Sequence, residues 1–191
     1  MRLHQFRNVI DEAYCHDPVH RFRWSKTMEF VRQSAFDRST VTSGLDLGDR
    51  TPLTAGLEEW FGCHFSNTTI DLDTGVLEGS FDVVTAFEVL EHLYNPLHLL
   101  LEVRKVLHSG HCSRLFLSTP VFKPLCLQSS DHFHEMSRRA LEALVARAGF
   151  RLVRSHEFRI RPLFFYLTGV KPLMRAIFEK IQIYELALQD G

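Results

Sequence analysis

The chain has 191 residues, of which 45% are hydrophobic and 24% are charged, and its formal net charge at pH 7 is −1. A chain of this length suits one domain with a substantial hydrophobic core. The near-neutral charge argues against nucleic acid as a partner, because proteins that bind nucleic acids usually carry excess basic charge or a basic stripe.

The first 40 residues carry many charges and are predicted to form a helical cap over one edge or mouth of the domain that follows. Asp17 is suited to be the N-cap of a helix that starts with Pro18. The N-terminus lacks the apolar stretch of a secretory signal, so we expect a cytoplasmic protein.

Residues 41–191 alternate between strand and helix patterns and are expected to form one α/β domain. The predicted strands cover 41–48, 64–72, 81–87, 112–120, 150–160 and 181–188, and the predicted helices cover 52–62, 95–110 and 136–150. Strands that alternate with helices of this length favour a doubly wound α/β fold, in which helices cover both faces of a mostly parallel sheet.

The turn after the first strand is the first candidate for a binding site. In an open α/β sheet, a ligand lies at the carboxyl ends of the strands where the strand order reverses. The strand ends with Asp46 and Gly48, and Thr51 and Pro52 are suited to start the next helix. None of the four residues that follow Gly48, 49–52, is a glycine.

The middle of the chain resembles the class I S-adenosylmethionine-dependent methyltransferases, particularly those that act on small molecules. The matching stretches are FDVV at 81–84, EVLEHL at 88–93, NP at 95–96, RKVL at 104–107, Gly110 and STP at 118–120. The resemblance runs from about residue 41 to the C-terminus. It implies a Rossmann-like methyltransferase fold, whose last strand, here 181–188, runs antiparallel.

The same resemblance implies a site for S-adenosylmethionine at the ends of the first three strands. The residues that it assigns to the cofactor are Asp46, Gly48, Asp49, Arg50, either Asp71 or Asp73, Phe87 and Glu88. The family has glycines where this chain has Asp49 and Arg50. Arg50 is positioned to pair with the carboxylate of the cofactor, with Asp49 or with solvent.

The span from Asp46 to Asp82 is too short for the two strands and one helix that the family usually has there. We therefore predict that one strand–helix unit is shortened or lost. The stretch IDLD at 70–73 then acts as the second strand, the third strand or a fusion of both. Asp71 and Asp73 compete for the role of binding the ribose or adenine, and each is otherwise part of an acidic surface turn.

Glu88, Glu91 and His92 have the spacing i, i+3, i+4, which places three side chains on one face if the chain turns helical there. Two carboxylates and an imidazole can hold a divalent cation. The pattern also occurs in two metal-assisted branches of the resembled family, the ubiquinone-pathway O-methyltransferases and the small-RNA 3′-end 2′-O-methyltransferases. Because many methyltransferases without metal share it, a metal is an alternative and not a requirement.

His132 and His134 follow the next strand on the same rim. They are candidates for further metal ligands, for a loop packed over the site, or for acid–base groups that act with Glu88 on an attacking hydroxyl or amine.

The segment 159–180 mixes aromatic, aliphatic and basic residues. It is either a lid packed on the sheet or a surface that contacts a lipid-linked substrate, a membrane surface or a second subunit. Its longest uncharged run, 162–170, is too short to cross a bilayer. The four cysteines, Cys15, Cys63, Cys112 and Cys126, have no metal-ligand spacing and are expected to be reduced thiols.

The resemblance implies a methyltransferase that moves a methyl group from S-adenosylmethionine directly to a small or lipid-linked acceptor. The glycine-poor turn and the short span support an alternative, a methyltransferase-like binding or assembly module that does not catalyse.

Overall fold

Six strands form one sheet in the computed structural model, which describes residues 12–109, 113–124, 127–129, 131–161 and 163–189. They are β1 (Gly44–Asp46), β2 (Phe65–Asn67), β3 (Val83–Phe87), β4 (Arg114–Pro120), β5 (Phe150–Arg159) and β6 (Lys180–Leu188), in the spatial order β2-β1-β3-β4-β6-β5. The first four strands in this order pair in parallel, and β6 is antiparallel to both of its neighbours. The predicted mostly parallel sheet with an antiparallel C-terminal strand is confirmed.

The helices are α1 (Glu12–His16), α2 (Pro18–Arg32), α3 (Pro52–Phe61), α4 (Pro96–Val106), α5 (Arg138–Arg147), α6 (Leu163–Tyr166) and α7 (Val170–Phe178). Four of them begin at a side chain that accepts a hydrogen bond from a backbone N–H of the first turn, and these N-caps are Asp17, Thr51, Asn95 and Ser137. None of the helices in the described ranges has both the length and the apolar character that crossing a bilayer demands.

The second strand is much shorter than the predicted range 64–72, because it ends at Asn67. The stretch IDLD is not a strand. Asp71 instead forms a turn in which its Oδ1 accepts from the Asp73 N at 2.9 Å and its carbonyl accepts from the Gly75 N at 2.7 Å. Aspartate favours such turns over strand interiors. The described residues 68–82, between β2 and β3, contain no helix and no further strand, as expected if one strand–helix unit is shortened or lost.

Two apolar clusters cover the two faces of the sheet, as a doubly wound fold requires. One joins α4 and α5 to the sheet through residues such as Leu100, Val103 and Leu141. The other joins α2 and α3 to the opposite face through residues such as Phe30 and Leu57. The N-terminal helix α2 is therefore part of the core.

A buried carboxylate on β6 fastens the C-terminal end of α2 to the sheet. Glu185 accepts from the Ser34 Oγ at 2.6 Å and from the Arg114 Nε at 3.3 Å, and it pairs with Arg154 at 3.1 Å. Arg154 also donates to the Phe30 carbonyl at 2.7 Å. These contacts anchor the C-terminal end of α2, while its N-terminal half lies near the carboxyl ends of the strands.

Several predicted features lie outside the described residues. They are the helix end at Gly110, the thiols of Cys112 and Cys126, and residues 1–11 of the predicted cap. The other two cysteines, Cys15 and Cys63, are free and half-buried.

Candidate active site

A crevice lies at the carboxyl ends of β1 and β3, where the strand order reverses. Its volume is about 130 Å³. One wall comes from the N-terminal helices and the other from the turn after β1 and the ends of β3 and β4; the lining residues are Tyr14, Arg23, Trp24, Thr27, 46–49, Thr51, Leu53, 87–89 and Ser118. The position is the one that the strand order predicts for a ligand.

The turn after β1 is held from below by a buried carboxylate. Asp46 accepts hydrogen bonds from the Thr85 Oγ at 2.6 Å and from the Thr54 Oγ at 2.5 Å. Burial raises the pKa of Asp46, and the two threonine hydroxyls partly oppose that effect. Gly48 has a φ of +104°, and no atom lies within 4 Å of the place that a Cβ would occupy. The turn thus keeps one glycine beside open space.

Two uncharged side chains at the end of β2 form hydrogen bonds with this turn. The Asn67 side-chain amide donates to the carbonyls of Asp46 and Gly48, each at 3.2 Å, and the Thr68 hydroxyl accepts from the Gly48 N at 2.8 Å. The sequence analysis missed Asn67 and Thr68. Their position at the carboxyl end of a parallel strand, Asn67 as its last residue and Thr68 directly after it, is the signal that would have found them.

Neither of the two aspartates proposed for the ribose or adenine lines the crevice. Asp71 is exposed in its turn, and the Asp73 Oδ1 accepts from the Asn95 N at 2.7 Å at the start of α4. The structure therefore uses both carboxylates to shape the connection between β2 and β3.

Arg50 also lies away from the crevice, whereas Asp49 lines it. The guanidinium of Arg50 pairs with Glu58 on α3, with one N–O distance of 3.2 Å. This partner was not anticipated. The Arg50 bond, together with a bond from the Phe65 N, lowers the pKa of Glu58 to about 2.

Glu88 occupies the opposite wall in a strained conformation. Its φ is +56°, which is costly for a residue with a side chain and is most often found at functional sites. Its backbone N donates to the Ser118 carbonyl at 3.0 Å, and its Oε1 accepts from the Ser118 Oγ at 2.7 Å. Phe87, the last residue of β3, also lines the crevice.

Arg23 reaches from α2 across the crevice to Glu88. The Nη1 of Arg23 donates to the Glu88 Oε2 at 3.2 Å, and its Nη2 donates to the Tyr14 hydroxyl at 3.1 Å. The side chains of Arg23 and Glu88 are only 16% and 10% exposed. Sequence reasoning missed Arg23, because it is one of several basic residues on a charged helix.

The Glu88, Glu91 and His92 side chains do not share a helical face, which corrects that expectation. The positive φ of Glu88 turns the chain, and residues 90–92 form only one turn of 3₁₀ helix. Glu91 is buried, and its ligand atom lies with those of His92 and His132 in a group within 4.8 Å. Glu88, bonded to Arg23 and Ser118, is not part of that group.

Burial, followed by the charge of Glu88, raises the pKa of Glu91 well above its ordinary value. Among the described residues, the Glu91 Oε2 and the Thr119 hydroxyl have no partner with hydrogen-bond geometry, although that hydroxyl is near enough to lower the pKa of Glu91. The His92 Nδ1 lies 2.9 Å from the Asp131 carbonyl. A cation held by Glu91, His92 and His132 would need the ionised form of Glu91, which the raised pKa disfavours.

The two rim histidines lie outside the crevice. The His132 Nδ1 is 2.7 Å from the Glu135 Oε1, and the His134 Nε2 is 3.3 Å from the Tyr94 carbonyl. The backbone N atoms of Phe133 and His134 both donate to the Glu91 carbonyl. The loop that carries these histidines therefore packs over Glu91.

Comparisons with known proteins agree with this architecture. A family model described as "Methyltransferase domain" matches residues 12–155. The search of curated proteins found no matching sequence. Among solved structures, a candidate methyltransferase from Haloferax volcanii, in complex with the Trm112 methyltransferase activator, has a TM-score of 0.60 at 14% identity, with 95% of this chain and 100% of that chain covered.

Two similar structures contain S-adenosyl-L-homocysteine. The O-methyltransferase of a trans-AT PKS multienzyme of Brevibacillus brevis has a TM-score of 0.60 at 9% identity, with 91% of this chain and 76% of that chain covered. The N-methyltransferase NodS from Bradyrhizobium japonicum has a TM-score of 0.56 at 13% identity, with 92% and 90% covered. Because the family model spans more than half of the sequence and the fold is shared with these enzymes, the chain belongs to the class I S-adenosylmethionine-dependent methyltransferase family.

Proposed function

We propose that this protein transfers a methyl group from S-adenosylmethionine to a small or lipid-linked acceptor, and that the cofactor binds in the crevice at the ends of β1 and β3. The observation that carries the proposal is the crevice itself, which lies at the switch point of a family-typical sheet and beside the open space at Gly48. Asp46, Gly48, Asp49, Phe87 and Glu88 are its proposed cofactor residues.

The chemistry of the lining suits such a cofactor. Leu47, Phe87 and Val89 offer apolar surface to an adenosine, and Asp49 and Glu88 offer oxygen acceptors to polar groups of the cofactor. In this proposal Asp46 acts indirectly, because both of its carboxylate oxygens hold the turn through Thr54 and Thr85.

The size of the crevice implies that α2 moves when the cofactor binds. Its volume of about 130 Å³ is below the roughly 300–1,000 Å³ of typical ligand pockets. A second cavity of about 530 Å³ lies between α2 and α3, and both cavities are lined by Trp24 and Leu53. Displacement of Trp24 would join the two spaces, in the way that lids of many enzymes open and close around a ligand.

In the proposed reaction the protein mainly positions two reactants and excludes water. S-adenosylmethionine supplies the reactive sulfonium methyl group. Of the three residues predicted to be catalytic, Glu88 lines the crevice and is positioned to contact a reactant, whereas His132 and His134 belong to the loop that packs over Glu91 and do not line the crevice. We therefore assign Glu88 to the reaction centre and the two histidines to the support of that loop.

A lipid-linked acceptor is supported by the surface near the crevice. The carboxyl end of β5 and the start of β6 lie at the same edge of the sheet as the crevice, and α6 and α7 connect them. Phe164, Leu167 and Leu173 are 79%, 77% and 53% exposed in this connection. Exposed apolar side chains grouped in this way mark interaction surfaces.

Binding of the cofactor is the first test. A ligand that binds only the folded form must raise the melting temperature when its concentration is well above the dissociation constant. We expect S-adenosylmethionine and S-adenosylhomocysteine to raise it. In a Trp60→Phe variant, which leaves Trp24 as the single tryptophan, we expect either ligand to change the fluorescence. No shift at millimolar ligand would favour the alternative, a methyltransferase-like binding or assembly module.

A further inference from the structure

We propose that Arg23 and Glu88 together bind the amino-acid end of the cofactor, Arg23 through its α-carboxylate and Glu88 through its α-ammonium group. This inference rests on the proposed function and adds the N-terminal helix α2 to the cofactor site.

The position of Arg23 is the first argument. Among the described residues that line the crevice, Arg23 is the only cation. The nearby cation of the turn, Arg50, is paired with Glu58 on α3 and does not line it. A guanidinium is the side chain best matched to a carboxylate, because its N–H groups can donate two parallel hydrogen bonds.

The charge balance of the crevice is the second argument. Arg23 and Glu88 face each other at 3.2 Å with little exposure to solvent. Separating a buried ion pair without new partners is strongly unfavourable. The α-amino acid end of S-adenosylmethionine carries one negative and one positive group on a single carbon. It can enter between the two side chains and give each an opposite charge, so that neither is left unpaired.

The geometry around the pair is the third argument. Ser118 donates to Glu88 and orients its carboxylate at 2.7 Å, and the Tyr14 hydroxyl accepts from Arg23 at 3.1 Å. Each side chain is therefore oriented by a neighbour whose hydrogen bond does not depend on the contact between Arg23 and Glu88. Arg23 on α2 and Glu88 directly after β3 thus offer side-chain contacts beside a turn that has only one glycine, Gly48.

Decarboxylated S-adenosylmethionine tests the proposal without any substitution, because it keeps the sulfonium and the amine but lacks the carboxylate. A hydrogen-bonded charge pair of this kind corresponds to about 10- to 100-fold in affinity. We expect the wild-type protein to bind S-adenosylmethionine more tightly than the decarboxylated ligand by that factor in calorimetry. Equal affinities would overturn the proposal.

Variants assign the preference to Arg23. Arg23→Gln should abolish the discrimination, and Arg23→Lys should retain part of it. Binding of 5′-methylthioadenosine, which lacks the amino-acid end, should stay within about threefold of wild type in both variants if only one subsite is lost. Lys26→Gln, an exposed position on the same helix, is the matched control and should keep the full preference.

The outcomes separate the two ideas. If the wild-type protein binds neither S-adenosylmethionine nor 5′-methylthioadenosine, the proposed function fails and this inference with it. If it binds both, but Arg23→Gln lowers both affinities equally, Arg23 is only a structural partner of Glu88 and this inference alone is wrong. Circular dichroism of each variant verifies that the fold is retained.

Discussion

The substitution Asp82→Asn should make the protein less stable at neutral pH but hardly change its stability in acid. Asp82 lies at the start of β3 and joins it to the residues before β1. Its Oδ2 accepts from the Thr42 N and Oγ, each at 2.8 Å, and from the Ser43 N at 3.1 Å, and its Oδ1 lies 2.8 Å from the His108 Nδ1.

The size of the effect follows from the pKa. Burial by itself would raise the pKa of Asp82, but the hydrogen bonds from Thr42, His108 and Ser43 outweigh burial and lower the pKa from 3.8 to about 2. At about 1.4 kcal/mol per pKa unit, this shift corresponds to at most about 2.5 kcal/mol. The side chain is 14% exposed, and we expect about 1–2 kcal/mol after screening by solvent.

The direction of the pH dependence follows from the lowered pKa. The ionised carboxylate stabilises the folded state at pH values above its unfolded pKa of about 4, and this stabilisation is lost as the pH falls from about 4 to about 2. The free-energy difference between wild type and Asp82→Asn should therefore be about 1–2 kcal/mol at pH 6, fall to about a third of that near pH 2.5, and approach zero near pH 1.

Urea unfolding at several pH values measures this difference, provided that the transition remains two-state. Asp71→Asn is the matched control, since Asp71 is exposed and asparagine forms the same turn. A difference for Asp82→Asn that stays constant from pH 6 to pH 2.5 would refute the reasoning. Because Asp82 lies at the edge of the sheet opposite the crevice, cofactor affinity should not change.

Three further predictions concern the crevice and its surroundings. Asp46→Ala removes the carboxylate that accepts from two buried hydroxyls below the turn. Calorimetry should show that S-adenosylhomocysteine binds at least about tenfold more weakly, a loss of about 1.4 kcal/mol or more in binding free energy; unchanged affinity would place the cofactor elsewhere. Gly48→Ala should lower stability by about 1 kcal/mol because of the positive φ, and should lower cofactor affinity further because its methyl group enters the open space; a loss of stability alone would show that this space is not used. EDTA followed by Mg²⁺ should leave the melting temperature unchanged, since His132 is bonded to Glu135 and the raised pKa of Glu91 disfavours the ionised carboxylate that a cation needs; a rise that His132→Ala abolishes would instead reveal a metal site.

The helix starts were predictable because capping is local. Each of the four N-cap side chains accepts from a backbone N–H only two or three residues ahead, as Asp17 does from Val19 at 2.6 Å and Ser137 from Ala140 at 3.3 Å. The residue type and the next few positions therefore contain most of the information. The buried parallel strand β3 was equally visible, because its residues are apolar on both faces.

The second strand was predicted too long because its end depends on a distant partner. The β-branched residues after Asn67 favour a strand locally. Thr68 instead accepts from the Gly48 N, and the turn at Asp71 redirects the chain. The prediction that Glu88, Glu91 and His92 share a helical face was wrong for a similar reason. Glu88 adopts a positive φ where its backbone N and its carboxylate are both bonded to Ser118 on β4, a residue far away in the sequence.

The amino-acid sequence by itself determined the alternation of strands and helices, the helix starts and the family, because these depend on neighbouring residues and on short contiguous motifs. Only the tertiary structure decided which polar groups share the crevice. Arg23 and Glu88 are 65 positions apart, and they meet because α2 packs across the sheet and is fastened by Glu185 at its far end. No local pattern encodes that packing, since it results from the burial of apolar surface on elements far apart in the chain.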